Sequence, residues 1–242
     1  MRTLRLVFIL AFLTHSINTI GQEVSTSYLL GQFNPETDSR FIKLAGKYTV
    51  GSARGMYLRK EAYEAFIKMT NAASKDGINL VIISATRNFE RQKQIWENKW
   101  KGKTLVDGKD LSTIADSVER AKIILRYSSM PGTSRHHWGT DMDFNSLENS
   151  FFESGEGLKM YEWLKKNAPS FGFCQPYTSK INSTRTGYEE EKWHWSYMPL
   201  ASHFLSLYEK QIHPKSIQGF VGNSITTTIQ IIPQYVASVS CK

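Results

Sequence analysis

Apolar side chains recur every three or four residues in several stretches of the chain, and this spacing predicts amphipathic helices. The predicted helices cover residues 57–76, 87–100, 111–128, 155–168 and 199–211. Gly77 follows the first stretch and Pro131-Gly132 follows the third, and residues of both kinds end helices. The helices are therefore separated by segments of a different pattern.

Those segments include short stretches of extended chain. Residues 79–84 form an apolar, β-branched run that predicts a buried strand, and residues 141–144 alternate Asp with Met or Phe as a strand does. Residues 172–177 and 192–197 are also interpreted as extended. A few short strands among helices predict an α+β fold, with a small antiparallel sheet flanked by helices.

The chain divides into four parts on this pattern. Residues 1–21 are a separate leader, and residues 22–55 are rich in glycine with little periodicity, which predicts an irregular N-terminal arm around the domain. Residues 56–212 form the main domain. Residues 213–242 form a tail that we expect to pack on this domain, and its second half is compatible with both helix and strand.

The leader has the pattern of a secretory signal peptide. Arg2 and Arg5 precede an apolar run from Leu6 to Leu13, and small and polar residues follow as far as Gly21. The run is far shorter than the roughly 20 residues that span a bilayer. We therefore predict export to the periplasm or the extracellular space without a stable membrane anchor; an uncleaved anchor is the alternative interpretation.

Composition narrows the function classes only a little. The chain has 242 residues, of which 40% are hydrophobic and 21% charged, as in globular proteins with a buried core. Without the leader the net charge falls from +8 to +6, because two Arg and no acidic residue are lost. The basic residues are scattered, so no nucleic-acid partner is expected. We expect a monomer.

The chain contains two cysteines, Cys174 and Cys241. In an exported protein such a pair can form a disulfide, which would tie the tail to the main domain. Two unpaired thiols are the other interpretation, because sequence does not give the distance between the two Cα atoms.

The strongest chemical signal is a cluster of His and Asp in residues 134–143. His136, His137, Asp141 and Asp143 lie within eight residues, and a turn at Gly139 would let a His and an Asp converge on one metal ion. Imidazole and carboxylate groups are good ligands for zinc. On ligand chemistry alone, either histidine is a candidate.

A second segment supplies a third candidate ligand and a candidate base. His194 follows three consecutive glutamates, Glu189 to Glu191, after a gap of two residues. Three protein ligands and an open fourth position are typical of catalytic zinc, and a nearby Glu can act as general base. Composition does not decide which glutamate points inward. Trp138, Trp193 and Trp195 flank the expected ligands as core residues or as walls of a cleft.

The third segment lies just past the predicted strand 79–84. Arg87 at that position could bind a substrate carboxylate or stabilise an oxyanion through charge-assisted hydrogen bonds. A solvated arginine at the start of a helix is the alternative interpretation.

Together the three segments resemble one family. Its motif S-x-H-x-x-G-x-A-x-D is matched by residues 134–143, except that Asp141 replaces Ala, and its motif E-x-W-H is matched by residues 191–194. Its motif S-G-Y-R with a later Gln is matched loosely by residues 84–87 and Gln92. The chain thus resembles the VanY-type D-alanyl-D-alanine carboxypeptidases, which are related to VanX dipeptidases, lysostaphin-type peptidases and the hedgehog domain.

The resemblance implies a role for each matching residue. It implies a zinc ion bound by His136, Asp143 and His194, with His137 outside the ligand set. It further implies Glu191 as general base and then general acid, and Arg87 as the contact for the substrate carbonyl or terminal carboxylate, assisted by Ser134 and Gln92. Asp141 adds a charge near the metal, which would disturb a three-ligand site if it points inward.

The function implied is hydrolysis of the terminal D-Ala from peptidoglycan stem peptides by a zinc D,D-peptidase domain at residues 56–212. An endopeptidase of the same metal type is one alternative. A non-catalytic, zinc-bearing wall-binding module is another, although such a module has no need of Glu191 as a base.

Overall fold

The structure is a computed structural model that describes residues 24–241, so the expected leader lies outside the described residues. Its helices and strands, in chain order, are α1 (Thr26–Leu29), β1 (Phe41–Lys43), β2 (Tyr57–Arg59), α2 (Lys60–Lys75), β3 (Ile82–Ser84), α3 (Phe89–Trp100), α4 (Ser117–Ile124), β4 (Asp141–Phe144), α5 (Gly155–Asn167), β5 (Phe173–Cys174), β6 (His194–Tyr197) and α6 (Met198–Gln211). Within residues 24–241, every helix is too short or too polar to cross a bilayer.

A four-stranded sheet in the order β3-β4-β6-β5 forms the centre, and every neighbouring pair is antiparallel. The predicted α+β fold with a small antiparallel sheet is therefore confirmed. In the β4–β6 pair, Asp143 lies opposite His194 and Asp141 lies opposite Ser196. Because side chains alternate along a strand, these four residues share one face of the sheet.

The other face of β4 and β6 is apolar and packs into one of two cores. Met142 and Trp195 join the core formed with α2, β3 and α5. The second core unites α1, α3, α4 and α6 with the C-terminal tail. Burial of the apolar face fixes the register of β4, since a shift by one residue would bury both aspartates in hydrocarbon.

The structure differs from the predicted elements at two places. Residues 57–59 extend as β2, paired with β1 of the arm, instead of opening the first helix, because their backbone hydrogen bonds go to Phe41–Lys43. The helix predicted over 111–128 is divided, and α4 starts only after Asp116, whose side chain accepts the backbone N–H groups of Val118 and Glu119.

The tail is compact and contains no strand within residues 214–241. It consists of turns, two short 3₁₀ helices and one π-helical segment (Ile232–Val236). It buries the apolar side chains of Ile217, Phe220, Ile225, Ile229, Ile231, Val236 and Val239 in the second core. Cys241 at its end forms a disulfide with Cys174 of β5, so the pairing that sequence left open is present.

Candidate metal centre and active site

Two strands and one tight turn bring His136, Asp143 and His194 together. Asp143 and His194 face each other across β4 and β6, with Oδ1 of Asp143 3.2 Å from Nδ1 of His194. His136 lies on a single 3₁₀ turn (Arg135–Trp138), and its Nε2 is 3.4 Å from Oδ2 of Asp143. Gly139 ends that turn with a φ of 73°, so the turn predicted there is confirmed.

These three side chains meet the requirements of a metal site. All three are buried, and their ligand atoms lie within 4.8 Å of one another. Ligand atoms that bind zinc tetrahedrally at about 2.0–2.2 Å lie roughly 3.3 Å apart. Within the described residues, His136 Nε2 and Asp143 Oδ1 are buried without a hydrogen-bond partner. Buried polar atoms rarely lack partners, and a bound cation would supply one.

Hydrogen bonds orient both imidazole rings toward this point. Nδ1–H of His136 donates to the carbonyl of Ala85 at 2.8 Å, which leaves Nε2 free as a ligand. In His194 the roles are reversed: Nε2–H donates to Asp141 Oδ2 at 2.8 Å and Nδ1 faces Asp143. A partner on the second ring nitrogen is the usual device that fixes the tautomer of a metal-binding histidine.

Asp141 lies behind the His194 ring and is not part of the ligand group. Its Oδ2 also accepts from Nε of Arg135 at 3.1 Å, and its Oδ1 accepts from the hydroxyls of Thr140 at 2.6 Å and Ser196 at 2.9 Å. Burial alone would raise the pKa of Asp141, but Arg135 and His194 outweigh it and lower the pKa. The negative charge of Asp141 is thus neutralised by Arg135 and by the Nε2–H side of the His194 ring, which points away from the ligand group.

His194 is surrounded by three carboxylates, and this favours a positive charge at its position. Burial would lower its pKa, yet the adjacent carboxylates of Asp141, Asp143 and Glu191 raise that pKa well above the ordinary value. Burial and the nearby Arg87 lower the pKa of His136, so this ring is held neutral. A metal cation on Nδ1 of His194 would replace the proton there and satisfy the same carboxylates.

Glu191 is the inward-pointing member of the three glutamates. Its side chain is buried, and Oε2 lies 3.2 Å from Nδ1 of His194, on the metal-facing side of the ring. Glu189 instead forms an ion pair with Lys180 near the surface. Burial raises the pKa of Glu191 although His194 opposes the shift. A carboxylate with a raised pKa beside the ligands can both accept and return a proton near neutral pH.

The remaining predicted residues line one pocket of about 570 Å³ that contains the ligand group. Arg87 donates from Nη1 to Ser84 Oγ at 2.8 Å and lies 3.7 Å from Asp143. Ser134 is buried and its hydroxyl has no partner among residues 24–241. Gln92 donates from Nε2 to the carbonyl of Ser129 at 2.8 Å, while its Oε1 is unpartnered within the same range.

The pocket also contains charged residues that the sequence analysis does not include as candidates: Lys99, Asp107, Arg126, Arg135 and Glu148. Lys99 lies seven residues after Gln92 on α3, so both side chains occupy the same helix face about two turns apart. Its Nζ donates to the hydroxyl of Ser128. Desolvation lowers the pKa of Lys99, and Arg87 contributes to the same shift. The spacing of seven from Gln92 was the signal that could have revealed it.

His137 and the tryptophans have structural positions. Nδ1–H of His137 donates to the carbonyl of Arg87 at 2.6 Å, and its Nε2 accepts the N–H of Gly132 at 3.0 Å, so neither nitrogen is available to a metal. Burial lowers the pKa of His137 to about 3. Trp138 and Trp195 lie in the two cores, and Trp193, also buried, lines the pocket.

Comparison with known proteins points in the same direction. The family model described as VanY, D-alanyl-D-alanine carboxypeptidase, matches residues 55–200, more than half of the chain. The chain is 34% identical over 145 residues to the putative carboxypeptidase YodJ of Bacillus subtilis (strain 168), covering 59% of this chain and 46% of that protein. It is 29% identical over 131 residues to the D-alanyl-D-alanine carboxypeptidase of Enterococcus faecalis (strain ATCC 700802 / V583), covering 53% and 43%. The chain thus matches less than half the length of these two relatives.

Solved structures share the fold. VanYB in complex with D-alanine-D-alanine has a TM-score of 0.51 at 23% identity, covering 74% of this chain and 88% of that one. The LdcB LD-carboxypeptidase has a TM-score of 0.51 at 22% identity, covering 88% and 82%. At these identities the likeness establishes the fold alone.

Proposed function

This chain belongs to the VanY family of D-alanyl-D-alanine carboxypeptidases, and we propose from that premise that it is a zinc-dependent D,D-carboxypeptidase. Its substrate is the peptidoglycan stem peptide, from which it removes the terminal D-Ala. The observation that carries the proposal is the buried group of His136, Asp143 and His194 with Glu191 3.2 Å from the metal-facing nitrogen of His194. Two nitrogen ligands and one oxygen ligand suit zinc better than magnesium or calcium, which prefer oxygen.

The protein's own residues perform the proton transfers in this proposal. When bound, zinc polarises the scissile carbonyl and lowers the pKa of water toward about 7. Glu191 accepts the proton of the attacking water and delivers it to the amino group of the departing D-Ala. Arg87, on the same pocket wall, donates hydrogen bonds to the oxyanion that develops on the carbonyl.

The charges of the pocket favour a carboxypeptidase over an endopeptidase. Arg87 and Lys99 both line it. Asp107, Asp143, Glu148 and Glu191 line it as well, but within residues 24–241 no carboxylate lies within ion-pair distance of the ammonium group of Lys99. A substrate that ends in a free carboxylate supplies the missing negative charge, whereas a continuing peptide chain does not. Ile95, Leu105 and Ile124 provide apolar wall for the methyl groups of alanine.

A binding module without catalysis is the weaker alternative. Its zinc site would need no proton acceptor, yet Glu191 is buried next to the ligands at the cost of its hydration. Among the described residues, the basic group within ion-pair distance of Glu191 is His194, itself a proposed metal ligand, so the position of Glu191 is tied to the site.

Incubation of the purified protein with a pentapeptide stem, with and without a chelator, tests the proposal by mass spectrometry of the products. We expect loss of one D-Ala that stops with the chelator and returns with zinc. Glu191→Gln is expected to retain zinc and lose hydrolysis, and Glu190→Gln, whose side chain lies outside the pocket, serves as the matched control. Unchanged activity of Glu191→Gln would refute the assignment of the base.

A second substrate separates the two peptidase alternatives. A cross-linked dimer without a free D-Ala-D-Ala terminus is expected to resist cleavage. Cleavage of that dimer with no release of D-Ala from the pentapeptide would establish the endopeptidase instead. We also propose that the protein acts outside the cytoplasm as a monomer, which periplasmic fractionation and sedimentation would check.

A further inference from the structure

Asp141 distinguishes this chain from the family pattern, in which Ala occupies that position. Its carboxylate is completely buried and has four polar partners, His194, Arg135, Thr140 and Ser196. A buried ionised carboxylate is costly unless it is both paired and hydrogen-bonded. The partners of Asp141 are therefore an organised cluster and not chance contacts.

The partners of Asp141 also bond to one another, so its position is fixed from several directions. Arg135 donates from Nε to Oδ2 of Asp141 and from Nη2 to the hydroxyl of Ser196 at 2.6 Å. Ser196 lies directly opposite Asp141 in the β4–β6 ladder and donates to its Oδ1. Since β4 also carries Asp143 and β6 also carries His194, the cluster spans the same two strands as the ligands.

The contact with His194 has a direct consequence for the ring. Nε2–H of His194 points at Oδ2 of Asp141, so only Nδ1 remains as a metal ligand. The hydrogen bond also resists rotation of the ring about its Cβ–Cγ bond. Fixing the tautomer and the rotamer removes two of the adjustments that a free histidine makes on binding a metal.

We propose that Asp141 is a positioning residue, held by Arg135 and Ser196, that keeps His194 in its metal-binding orientation and thereby raises the affinity of the site for zinc. The inference rests on the proposed zinc site. The side chain of Asp141 does not contact the substrate pocket, so its effect on hydrolysis passes through His194.

Zinc affinity, measured by competition with a chromogenic chelator, is the readout that tests this role. Removing such a partner of a metal ligand typically weakens metal binding 10–100-fold, and we expect a loss in this range for Asp141→Ala. Asp141→Asn keeps an oxygen that can accept from His194 Nε2–H, so it should retain part of the affinity that Asp141→Ala loses. Asp76→Asn is the matched control. Asp76 lies far from the site in the sequence, and like Asp141 its carboxylate accepts a hydrogen bond from a side-chain ring N–H, here the indole of Trp163.

The free energy of unfolding of the metal-free variants must be measured as well as their zinc affinity. Removing the carboxylate of Asp141 leaves the buried Arg135 without its charge partner, which is expected to destabilise the fold. If Asp141→Ala does not fold, Asp141→Asn still gives the affinity comparison. A folded Asp141→Ala or Asp141→Asn that is less stable but binds zinc as tightly as the wild type would overturn the inference and leave the proposed function standing. A wild-type protein without zinc affinity would overturn both.

Discussion

Replacing Cys174 and Cys241 by serine tests how strongly the tail is tied to the domain. The disulfide joins residues separated by 67 positions and closes a loop that includes β6 and Glu191. In the chain-entropy model, a cross-link over this separation lowers the entropy of the unfolded chain enough to stabilise the fold by about 4 kcal/mol at 25 °C. A typical domain is stable by about 5–15 kcal/mol, so the loss would be large but need not unfold the protein.

The packing of the tail should preserve the native structure in the double variant. Ile231 and Val236 are completely buried, and each such side chain contributes roughly 1.5–3 kcal/mol. Backbone contacts also hold the tail, including the N–H of Ser240 to the carbonyl of Pro176 at 2.8 Å. We therefore expect a folded protein with a lower free energy of unfolding.

Urea unfolding of the zinc-free protein, followed by circular dichroism, gives the free-energy difference. We expect a decrease of about 4 kcal/mol, which for a chain of this size corresponds to roughly 8–16 °C in melting temperature. Wild type kept in reductant is the control and should match the double variant. A decrease below about 1 kcal/mol would refute the reasoning, since it would show that the loop is already restricted in the unfolded chain. Zinc affinity should not change, because neither cysteine lines the pocket.

Three further predictions concern the turn, the pocket and the metal. Gly139→Ala places a Cβ 2.3 Å from the ring of Phe41 at a φ of 73°, and should lower the melting temperature more than Gly77→Ala, which has the same φ and open space around it. Lys99→Met should raise KM for a pentapeptide with a free terminal carboxylate and leave KM unchanged for the amidated peptide; an equal change for both would show that Lys99 does not contact the carboxylate. Zinc at about 100 times its dissociation constant should stabilise the protein by about 2.7 kcal/mol in calorimetry, and His194→Ala should abolish this gain.

The local sequence pattern predicted the strand and the turn that position the site residues, because each has a simple signature in the sequence. The alternation of Asp with Met and Phe in residues 141–144 places the acids on one face and the apolar residues on the other, as observed in β4. The αL turn at Gly139 also follows from local chemistry, since glycine adopts positive φ without strain.

The local sequence pattern did not predict structure or position correctly where the deciding contacts come from a segment far away in the sequence. Residues 57–59 have the apolar spacing of a helix, but β1 offers their backbone a ladder of hydrogen bonds, so they extend. The same limit applies to Lys99, whose spacing from Gln92 puts both on one helix face without saying that this face lines the pocket.

Residue types, short periods and motif spacing are local properties, and they predicted the candidate ligands, a candidate base, the family and the small antiparallel sheet. Tertiary structure alone shows which ring nitrogen of His136 and of His194 is free, and that both ring nitrogens of His137 are hydrogen-bonded. It also placed Asp141 behind His194 and paired the cysteines. Those outcomes depend on which carbonyls, carboxylates and thiols meet across 50 to 67 residues of chain, and such contacts exist only once the strands have paired.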